Sequence, residues 1–228
     1  MRALFVTGTD TGCGKTSVAC ALARTARAAG LRVRVLKPVE TGCEEHAGER
    51  VAADARALAE AAGDTRGADA LCPYRLALPA APEIAARREG VRIDPERLDA
   101  AFTAASNPAA GADLLLVEGA GGLLVPIGDG LDMAGLAARW KLPLLVVARA
   151  SLGTINHTLL TLEAARARGS HVAALVFSHT QPELSAPDRE NLDLLLADPP
   201  VATWAELGHG ERTLDLDAAA LVASLPGT

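Results

Sequence analysis

The stretch Gly8-Thr9-Asp10-Thr11-Gly12-Cys13-Gly14-Lys15-Thr16 decides the fold of this chain. It follows an apolar run at residues 3–6 and precedes a segment with apolar residues at helical spacing, which predicts a strand, a glycine-rich loop and a helix. Glycines let backbone N–H groups converge on phosphate oxygens, and the positive end of the helix faces the anion. Lys15 adds a charge for the outer phosphates, and the Thr16 hydroxyl is placed to bind Mg²⁺. The stretch therefore predicts a site for a nucleoside triphosphate.

The spacing of this stretch is a variant of the standard phosphate-loop pattern. The pattern G-x-x-x-x-G-K-[ST] would need glycine at position 9, where the chain has Thr9, so Gly8 makes the loop one residue longer. The alternative is a chance glycine-rich turn before a helix. It is disfavoured because strand, loop and amphipathic helix all follow in the required order.

The composition favours one α/β domain over residues 1–228. No linker rich in Pro, Gly or Ser divides the chain, and 50% of its residues are hydrophobic against 3% aromatic. A core of Ala, Val and Leu is typical of helices packed tightly on a sheet. The net charge of −6 and the pI of about 5.4 disfavour bulk binding of nucleic acid, whose phosphates would be repelled. Small molecules are therefore the expected partners.

The chain shows no apolar run approaching the ~18 residues that a membrane span needs, and no secretory signal near Met1. We therefore expect a cytoplasmic protein that does not enter a membrane. Its cysteines show no C-x-x-C pairing and no histidine at zinc-binding spacing, which favours free thiols in a reducing compartment over a structural zinc site. They are Cys13, Cys20, Cys43 and Cys72.

Apolar patterning predicts strands that alternate with helices along the chain. The further predicted strands are residues 31–36, 114–117, 142–148 and 172–177, and the predicted helices are residues 15–29, 51–62, 95–106, 154–168, 188–196 and 217–225. The proline-rich residues 64–82 are predicted to loop near the site. This order predicts an α/β fold of the P-loop NTPase type, with a doubly wound, mostly parallel sheet whose ligands lie beyond the strand ends.

Three charged residues are candidates for chemistry beside the phosphate loop. Glu118 is predicted to follow the strand at residues 114–117 directly, where a rigidly held carboxylate is suited to binding Mg²⁺. Lys37 follows the strand at residues 31–36 and is suited to neutralising a transferring phosphoryl group, although a solvated surface lysine is the alternative. Asp54 stands near a predicted helix N-terminus, where an acid by itself is explained as a partner of the helix dipole.

Four segments and one aspartate together closely resemble dethiobiotin synthetase, the ATP-dependent carboxylase of biotin synthesis. They are Gly8-Thr9-Asp10-Thr11-x-x-Gly14-Lys15-Thr16, Lys37-Pro38-Val39-x-Thr41-Gly42, Asp54, Val117-Glu118-Gly119-Ala120-Gly121-Gly122 and Leu152-Gly153-Thr154-Ile155-Asn156-His157. The resemblance runs from Met1 to about Phe177 and becomes diffuse after it.

The resemblance implies a ligase that acts on 7,8-diaminononanoate. One amine reacts with CO₂ to give a carbamate, ATP phosphorylates the carbamate to a mixed anhydride, and the second amine closes the ureido ring of dethiobiotin, releasing ADP and phosphate. The implied cofactor is Mg²⁺, held by Thr16, Asp54 and Glu118, and ATP is the cosubstrate. The implied catalytic residues are Lys37, Lys15 and Thr11. The implied substrate contacts are Thr11, Lys37, Thr41, Gly121 and Asn156. The implied nucleotide contacts are Gly12, Cys13, Gly14, Lys15, Thr16, Ser17, Asp54, Glu118, Gly119, Ala120, Gly121, Ser178, His179, Thr203 and Trp204.

The family resemblance also implies a homodimer. In the family a dimer closes the substrate pocket, with the segment that corresponds to residues 150–156 contributed by the partner subunit. This makes Asn156 a candidate for the carboxylate end of the substrate. The chain departs from its relatives at Gly12, where several carry glutamate, and at Ser178, where relatives with adenine preference carry asparagine. The second departure predicts weak discrimination between bases, so that CTP or GTP could replace ATP.

Two other protein classes share part of this pattern. A partition-type regulatory P-loop ATPase is the main alternative, but such proteins carry a signature lysine where this chain has Asp10, and commonly a basic or membrane-binding surface. The synthetase half of a glutamine-dependent cobyrinate amidation enzyme needs an attached glutaminase, and the residues after Phe177 contain no cysteine to supply its nucleophile. Cys13 is interpreted as a small filler of the loop, and His157 as a capping or packing residue.

Overall fold

Residues 1–227, which the computed structural model describes, build a central sheet with helices on both faces. The strands are β1 (Arg2–Gly8), β2 (Val33–Leu36), β3 (Val39–Thr41), β4 (Glu44–His46), β5 (Glu49–Val51), β6 (Tyr74–Leu76), β7 (Leu114–Gly122), β8 (Pro126–Gly128), β9 (Leu131–Asp132), β10 (Leu144–Arg149), β11 (Val172–Ser178) and β12 (Trp204–Leu207). The helices are α1 (Lys15–Ala28), α2 (Ala53–Ala62), α3 (Ala68–Leu71), α4 (Pro82–Arg88), α5 (Pro95–Ala105), α6 (Met133–Arg139), α7 (Thr154–Ala167), α8 (Ala186–Leu196) and α9 (Ala218–Ser224). None of the helices in this part of the chain has the length and apolar character that crossing a membrane requires.

Six parallel strands form the central sheet, in the order β12-β11-β10-β1-β7-β2. Phe5 of β1 is opposite Leu144 of β10 on one side and Val117 of β7 on the other. The chain passes from β1 through α1 to β2, and β10, β11 and β12 later take the other side of the sheet. The strand order therefore reverses next to β1, and open α/β sheets bind ligands at such a point. The predicted doubly wound α/β fold is confirmed.

Helices cover both faces of the central sheet. Leu4 and Val6 of β1 pack in a core shared with α1, α2 and α9, whereas Ala3 and Phe5 pack in a second core shared with helices α4 to α8. Burial on both faces explains why the strands are continuous apolar runs rather than alternating ones. Because successive strand residues point to opposite faces, the face of each side chain follows from its position along the strand.

Gly14 sets the junction between the phosphate loop, defined as residues 8–16, and α1. Its φ of 97° lies in the left-handed region, which favours glycine. A Cβ at this position would also lie 2.2 Å from Oγ of Ser178, at the end of β11. The phosphate loop therefore packs directly against β11, and glycine leaves the room for this contact.

β7 extends beyond its predicted end at residue 117. Glu118 pairs with Val6 and Gly122 pairs with Gly8, because β1 and β7 stay adjacent up to the phosphate loop. The expectation that Glu118 follows the strand is therefore wrong. Glu118 lies inside a strand, and this position holds it more firmly than a strand end would.

Several short elements are missing from the sequence prediction: strands β3, β4, β5, β6, β8, β9 and β12, and helices α3, α4 and α6. Most of them are too short to show a hydrophobic period. Residues 64–82, predicted to loop near the site, contain α3 and β6 and line no part of the cleft described below. The remaining helices and strands begin and end within a few residues of their predicted bounds.

Asp64 ties the edge strand β2 to the chain that follows α2. Its carboxylate accepts a hydrogen bond from the Val35 N–H at 3.1 Å and from Nη2 and Nε of Arg66 at 2.6 and 3.0 Å. Burial raises the pKa of this carboxyl, but the hydrogen bonds from Arg66 and Val35 outweigh burial and bring the pKa below its ordinary value. Charged Asp64 therefore stabilises the strand that leads to Lys37.

Asp64→Asn should lower the free energy of unfolding by about 3 kcal/mol, because it leaves the Arg66 charge without its partner. Because the pKa of Asp64 is lower in the folded than in the unfolded state, its charged form stabilises the fold at any pH above the unfolded-state pKa of about 3.9. This stabilisation is lost as the pH falls through the folded-state pKa. Urea unfolding at about pH 7 measures the loss, and urea unfolding between about pH 5 and about pH 2 measures the weaker acid dependence expected of the variant.

Asp69→Asn is the matched control, because Asp69 pairs with Arg75 on the surface and its side chain is 81% exposed, against 3% for Asp64. The control should change the free energy of unfolding little. Similar losses in the two variants would contradict the role given to Asp64.

Candidate functional site

A cleft of about 640 Å³ opens at the carboxyl ends of β1, β2, β7, β11 and β12. This volume is within the range of small-molecule sites, and the position is the one that the strand order predicts. The residues that line the cleft are Thr11, Gly12, Gly14, Lys15, Thr16, Ser17, Lys37, Glu40, Thr41, Asp54, Glu118, Ala120, Gly121, Ser178, His179, Thr180, Leu207, Gly208, His209, Gly210 and Glu211.

Lys15 holds a positive charge beneath the phosphate loop. Its Nζ donates to the Asp10 carbonyl at 2.9 Å and lies 4.0 Å from Sγ of Cys13, and among residues 1–227 no carboxylate lies within 4 Å of it. Burial lowers the pKa of Lys15, and the charge of Lys37 acts in the same direction. A buried ammonium without a carboxylate favours an anionic ligand, and phosphate is such an anion.

Strand register brings Lys37 and Glu118 together. Leu36, the last residue of β2, is opposite Val117 of β7, so the residues that follow them lie side by side. A slip of one residue in this register would send one of the two side chains to the other face of the sheet. The pairing of β2 with β7 therefore builds the centre of the cleft.

Both of these side chains point toward α1 and α2. Val35 and Leu116, two residues earlier in their strands, pack in the core on that face, and strand side chains alternate with a period of two. Thr16 in the first turn of α1 and Asp54 in the first turn of α2 approach from the same face. The sheet side thus contributes Lys37 and Glu118, and the helices contribute Thr16 and Asp54. These four polar side chains meet at one point.

Lys37 is the centre of the resulting network. Its Nζ donates to Oε1 of Glu118 at 2.5 Å, to Oδ2 of Asp54 at 3.1 Å and to the Gly119 carbonyl at 3.3 Å. Oγ1 of Thr16 donates to the same Glu118 oxygen at 2.9 Å. Burial lowers the pKa of Lys37, but the charges of Glu118 and Asp54 outweigh burial and raise the pKa above its ordinary value. Lys37 is therefore held as an ammonium.

The oxygens around Lys37 fit a hard divalent cation. Oε2 of Glu118 is buried and has no hydrogen-bond partner among residues 1–227, so one carboxylate oxygen is left over for a further ligand. The Asp54 side chain is 43% exposed and lines the cleft, so its carboxylate supplies a second oxygen. The Thr16 hydroxyl supplies a third. Within the described residues no group of three or more His, Cys, Asp and Glu side chains is arranged for a metal ion. A cation here would therefore also need oxygens from phosphate and water, as Mg²⁺ ordinarily does.

Glu40 is a cleft residue that the sequence analysis misses. Its carboxylate is buried, accepts hydrogen bonds from the N–H groups of Asp54 and Ala55, and stands between Lys37 and Thr41 on β3. Burial raises the pKa of Glu40, although these backbone hydrogen bonds oppose the rise. No local motif marks Glu40, because its partners belong to a helix in a later segment.

The structure brings most of the predicted site residues to the cleft, namely Thr11, Gly12, Gly14, Lys15, Thr16, Ser17, Lys37, Thr41, Asp54, Glu118, Ala120, Gly121, Ser178 and His179. Cys13 lies buried beneath the phosphate loop, where its thiol donates to the Val147 carbonyl at 3.4 Å. Gly119 contributes the carbonyl that accepts from Lys37. The four cysteines are buried and free, as expected.

Thr203 and Trp204 are not brought to the cleft. Trp204 is the first residue of β12, whereas the cleft lies at the other end of that strand, beyond Leu207. The loop after β12 lines the cleft instead, and the Glu211 carboxylate accepts a hydrogen bond from the Gly208 N–H at 2.7 Å within it. No hydrophobic pattern in the sequence predicts the four-residue strand β12, so no predicted strand end marks the position of this loop.

Asn156 lies outside the cleft, at the start of α7. It lines a separate surface depression with Gly153, Ile155, Leu159, Leu160, Glu163 and Asn191. Leu152 beside it is 81% exposed and Leu160 is 56% exposed. Within one copy of the chain, Asn156 therefore does not meet Lys37.

Comparison with known proteins adds relatives that match almost the whole chain. A family model described as an AAA domain matches residues 2–211. The ATP-dependent dethiobiotin synthetase of Anaeromyxobacter dehalogenans (strain 2CP-C) is 49% identical over 218 residues, which cover 90% of this chain and 94% of the relative. The corresponding synthetase of Aromatoleum aromaticum is 46% identical and covers 85% and 84%. That of Akkermansia muciniphila is 37% identical and covers 95% and 97%.

Solved structures of the signal recognition particle receptor FtsY share the fold. FtsY of Elizabethkingia anophelis in complex with GDP superposes with a TM-score of 0.55 at 18% identity, covering 98% of this chain and 63% of that protein, so the chain spans less than two thirds of its length. FtsY of Thermotoga maritima gives 0.54 at 16% identity, covering 97% and 67%. This likeness confirms the P-loop fold and no more, whereas the curated relatives show that the chain belongs to the dethiobiotin synthetase family, as its motifs predict.

Proposed function

We propose that this protein forms dethiobiotin from 7,8-diaminononanoate, CO₂ and ATP. The names of its relatives state ATP-dependent synthesis of dethiobiotin for them. The observation that supports the proposal most strongly is the convergence of Lys15 and Lys37 with Thr16, Asp54 and Glu118 in one cleft. Phosphoryl transfer depends mainly on positioning and on neutralising charge, and this cleft supplies both. No observation favours a partition-type ATPase.

The phosphate loop binds the nucleotide through its backbone N–H groups and through Lys15. Thr16, Asp54 and Glu118 would hold Mg²⁺, which when bound neutralises phosphate charge and orients the outer phosphates. Lys15 approaches from beneath the loop, where no carboxylate of the described residues pairs with its ammonium. Because Asp54 and Glu118 both bond to Lys37, a triphosphate bound through Mg²⁺ would end close to Lys37.

The reaction needs three bonds to form in sequence. The nitrogen of one amine attacks CO₂ and loses a proton, which gives a carbamate. A carbamate oxygen attacks the γ-phosphorus, and the bond to the bridging oxygen of ADP breaks. The second amine then attacks the carbamate carbon, and phosphate leaves as the ring closes.

Lys37 serves the steps in which negative charge collects on the carbamate and the phosphoryl group. All three N–H donors of its ammonium are engaged, with Glu118, Asp54 and Gly119. One of them must turn to the substrate, and the bond to the Gly119 carbonyl is the longest of the three at 3.3 Å. The Thr11 and Thr41 hydroxyls, which line the same cleft, orient the carbamate and the amine.

The substrate pocket is completed by a second copy of the chain. Leu152, Leu159 and Leu160 leave an exposed apolar patch around Asn156, which is typical of a protein–protein interface. In a homodimer Asn156 of one copy binds the carboxylate end of the substrate held in the cleft of the other.

The compartment that we propose is the cytoplasm. Free thiols at all four cysteines agree with this reducing compartment.

The test of the function is incubation of the purified protein with diaminononanoate, bicarbonate, Mg²⁺ and ATP, with the cyclic urea product read by mass spectrometry. Formation of dethiobiotin together with ADP and phosphate in equal amounts is the expected result. Hydrolysis of ATP with no dependence on the diamine would overturn the proposal.

Lys37→Ala should lower kcat by a factor on the order of 100 to 1000, because it removes the charge that stabilises the carbamate and the phosphoryl group. Nucleotide affinity should change little, since the phosphate loop is untouched, and equilibrium binding of a fluorescent nucleotide measures it. Lys141→Ala is the control, because Lys141 is an exposed lysine on the turn between α6 and β10. Wild-type turnover by Lys37→Ala would contradict the role of Lys37.

ATP, CTP and GTP should support turnover with kcat/KM values within about tenfold of one another, a range typical of a pocket that lacks base-specific hydrogen bonds. The physical reason is that Ser178, which is buried against Gly14, can make fewer hydrogen bonds to a base edge than an asparagine at this position. Steady-state rates at several concentrations of each triphosphate measure the ratio. Turnover with ATP alone would contradict this prediction.

Leu152→Asp combined with Leu160→Asp should shift the protein from dimer to monomer, because two charges would be buried at the proposed interface. Analytical ultracentrifugation measures the mass. The monomer should bind nucleotide normally and lose dethiobiotin formation. An unchanged sedimentation profile would argue that this patch is not the interface.

A further inference from the structure

α2 begins without a capping residue of its own. Ala52 precedes the helix, where Ser, Thr, Asp or Asn ordinarily accepts hydrogen bonds from the first turn, and it makes no side-chain cap. The N–H groups of a first turn have no partner within the helix and need one from outside. This matters for the cleft, because Asp54 belongs to that turn.

Glu40 supplies the missing cap from β3. Its Oε1 accepts from the Asp54 N–H at 2.9 Å and its Oε2 accepts from the Ala55 N–H at 3.0 Å. These are the second and third residues of α2, whose N–H groups a local cap would satisfy. The positive end of the helix also favours a carboxylate at this place.

The cap connects two parts of the cleft that are separate in the chain. Glu40 stands on β3, three positions after Lys37, and β3 is fixed by its pairing with β6, in which Glu40 is opposite Arg75. Asp54 presents its carboxylate to Lys37 at 3.1 Å. A serine at position 52 would cap α2 without linking the helix to the Lys37 segment, and a buried carboxylate from β3 does both.

We propose that Glu40 is a positioning residue, which holds Asp54 against Lys37 in the cleft by capping α2 from β3. Its catalytic consequence rests on the function proposed above. Without this carboxylate the first turn of α2 loses its two acceptors, and Asp54 is no longer held where Lys37 and Thr16 meet. The hydrogen bonds of the Glu40 carboxylate go to α2 and not to the phosphate loop, so we expect nucleotide binding in the absence of Mg²⁺ to be independent of the cap.

The experiment compares Glu40→Ala and Glu40→Gln with the wild type. Calorimetric titration with the β,γ-methylene analogue of ATP, with Mg²⁺ and with EDTA, gives the gain in affinity that Mg²⁺ provides. Glu40→Ala should reduce this gain by about tenfold, as loss of an outer-shell partner typically does, and lower kcat by about 10- to 100-fold. Glu40→Gln should lie between, because its amide oxygen still accepts one of the two N–H groups. Affinity in EDTA should stay within about twofold of the wild type for both.

Asp217→Ala is the matched control for the loss of a helix cap. The Asp217 carboxylate caps α9 by accepting from the Ala220 N–H at 2.9 Å, and neither residue lines the cleft. This variant should lower the melting temperature while the gain from Mg²⁺ and kcat stay at wild-type values.

The proposal is overturned if Glu40→Ala has a lower melting temperature but gains as much nucleotide affinity from Mg²⁺ as the wild type does. If the alanine variant does not fold, Glu40→Gln decides by the same criterion. It is also overturned if affinity falls by the same factor with Mg²⁺ and with EDTA, since that reports general damage to the cleft. A wild type that makes no dethiobiotin refutes the proposed function, and the calorimetric comparison still decides the role of Glu40.

Discussion

The ion pair between Lys37 and Glu118 is the interaction on which the rest of the cleft depends. Their side chains are 4% and 1% exposed, and removing two charges from water is offset only when the pair is close and its remaining hydrogen-bonding groups are satisfied. Thr16 and Asp54 provide part of that satisfaction from two helices, whereas Oε2 of Glu118 has no hydrogen-bond partner among residues 1–227. The same pair requires β2 and β7 to keep one register, so the arrangement of the sheet and the chemistry of the cleft are specified together.

The two cleft lysines differ in a way that suits two tasks. Within the described part of the chain, the partners of the Lys15 ammonium are a carbonyl and a thiol, and burial lowers the pKa of Lys15, so an anion would improve its surroundings. Lys37 is already neutralised by two carboxylates, which raise its pKa. This difference agrees with the proposal that Lys15 binds the phosphates and that Lys37 holds its charge in place until a substrate competes for it.

The sequence predicts those parts of the site that local chemistry marks. The phosphate loop has its own signature, and Lys37 and Glu118 follow apolar runs that the α/β pattern predicts to end at the same edge of the sheet. Asp54 shows no such mark, because the residues that place it are Glu40, on a short strand without a period, and an alanine where a cap would normally stand. Thr203 and Trp204 were expected near the nucleotide, and the unpredicted strand β12 puts its other end at the cleft. The positions of these residues depend on pairing between segments that are distant in the chain. The pattern of residues within one segment carries no information about that pairing.

The contact between Gly14 and Ser178 joins the phosphate end of the cleft to its far wall. Oγ of Ser178 occupies the space that a side chain at position 14 would need, so the loop and the end of β11 fit as one piece. A larger side chain at position 178 would therefore push on the phosphate loop. The end of β11 and the shape of the phosphate loop are thus not independent of each other, and directed evolution of one would have to tolerate changes in the other.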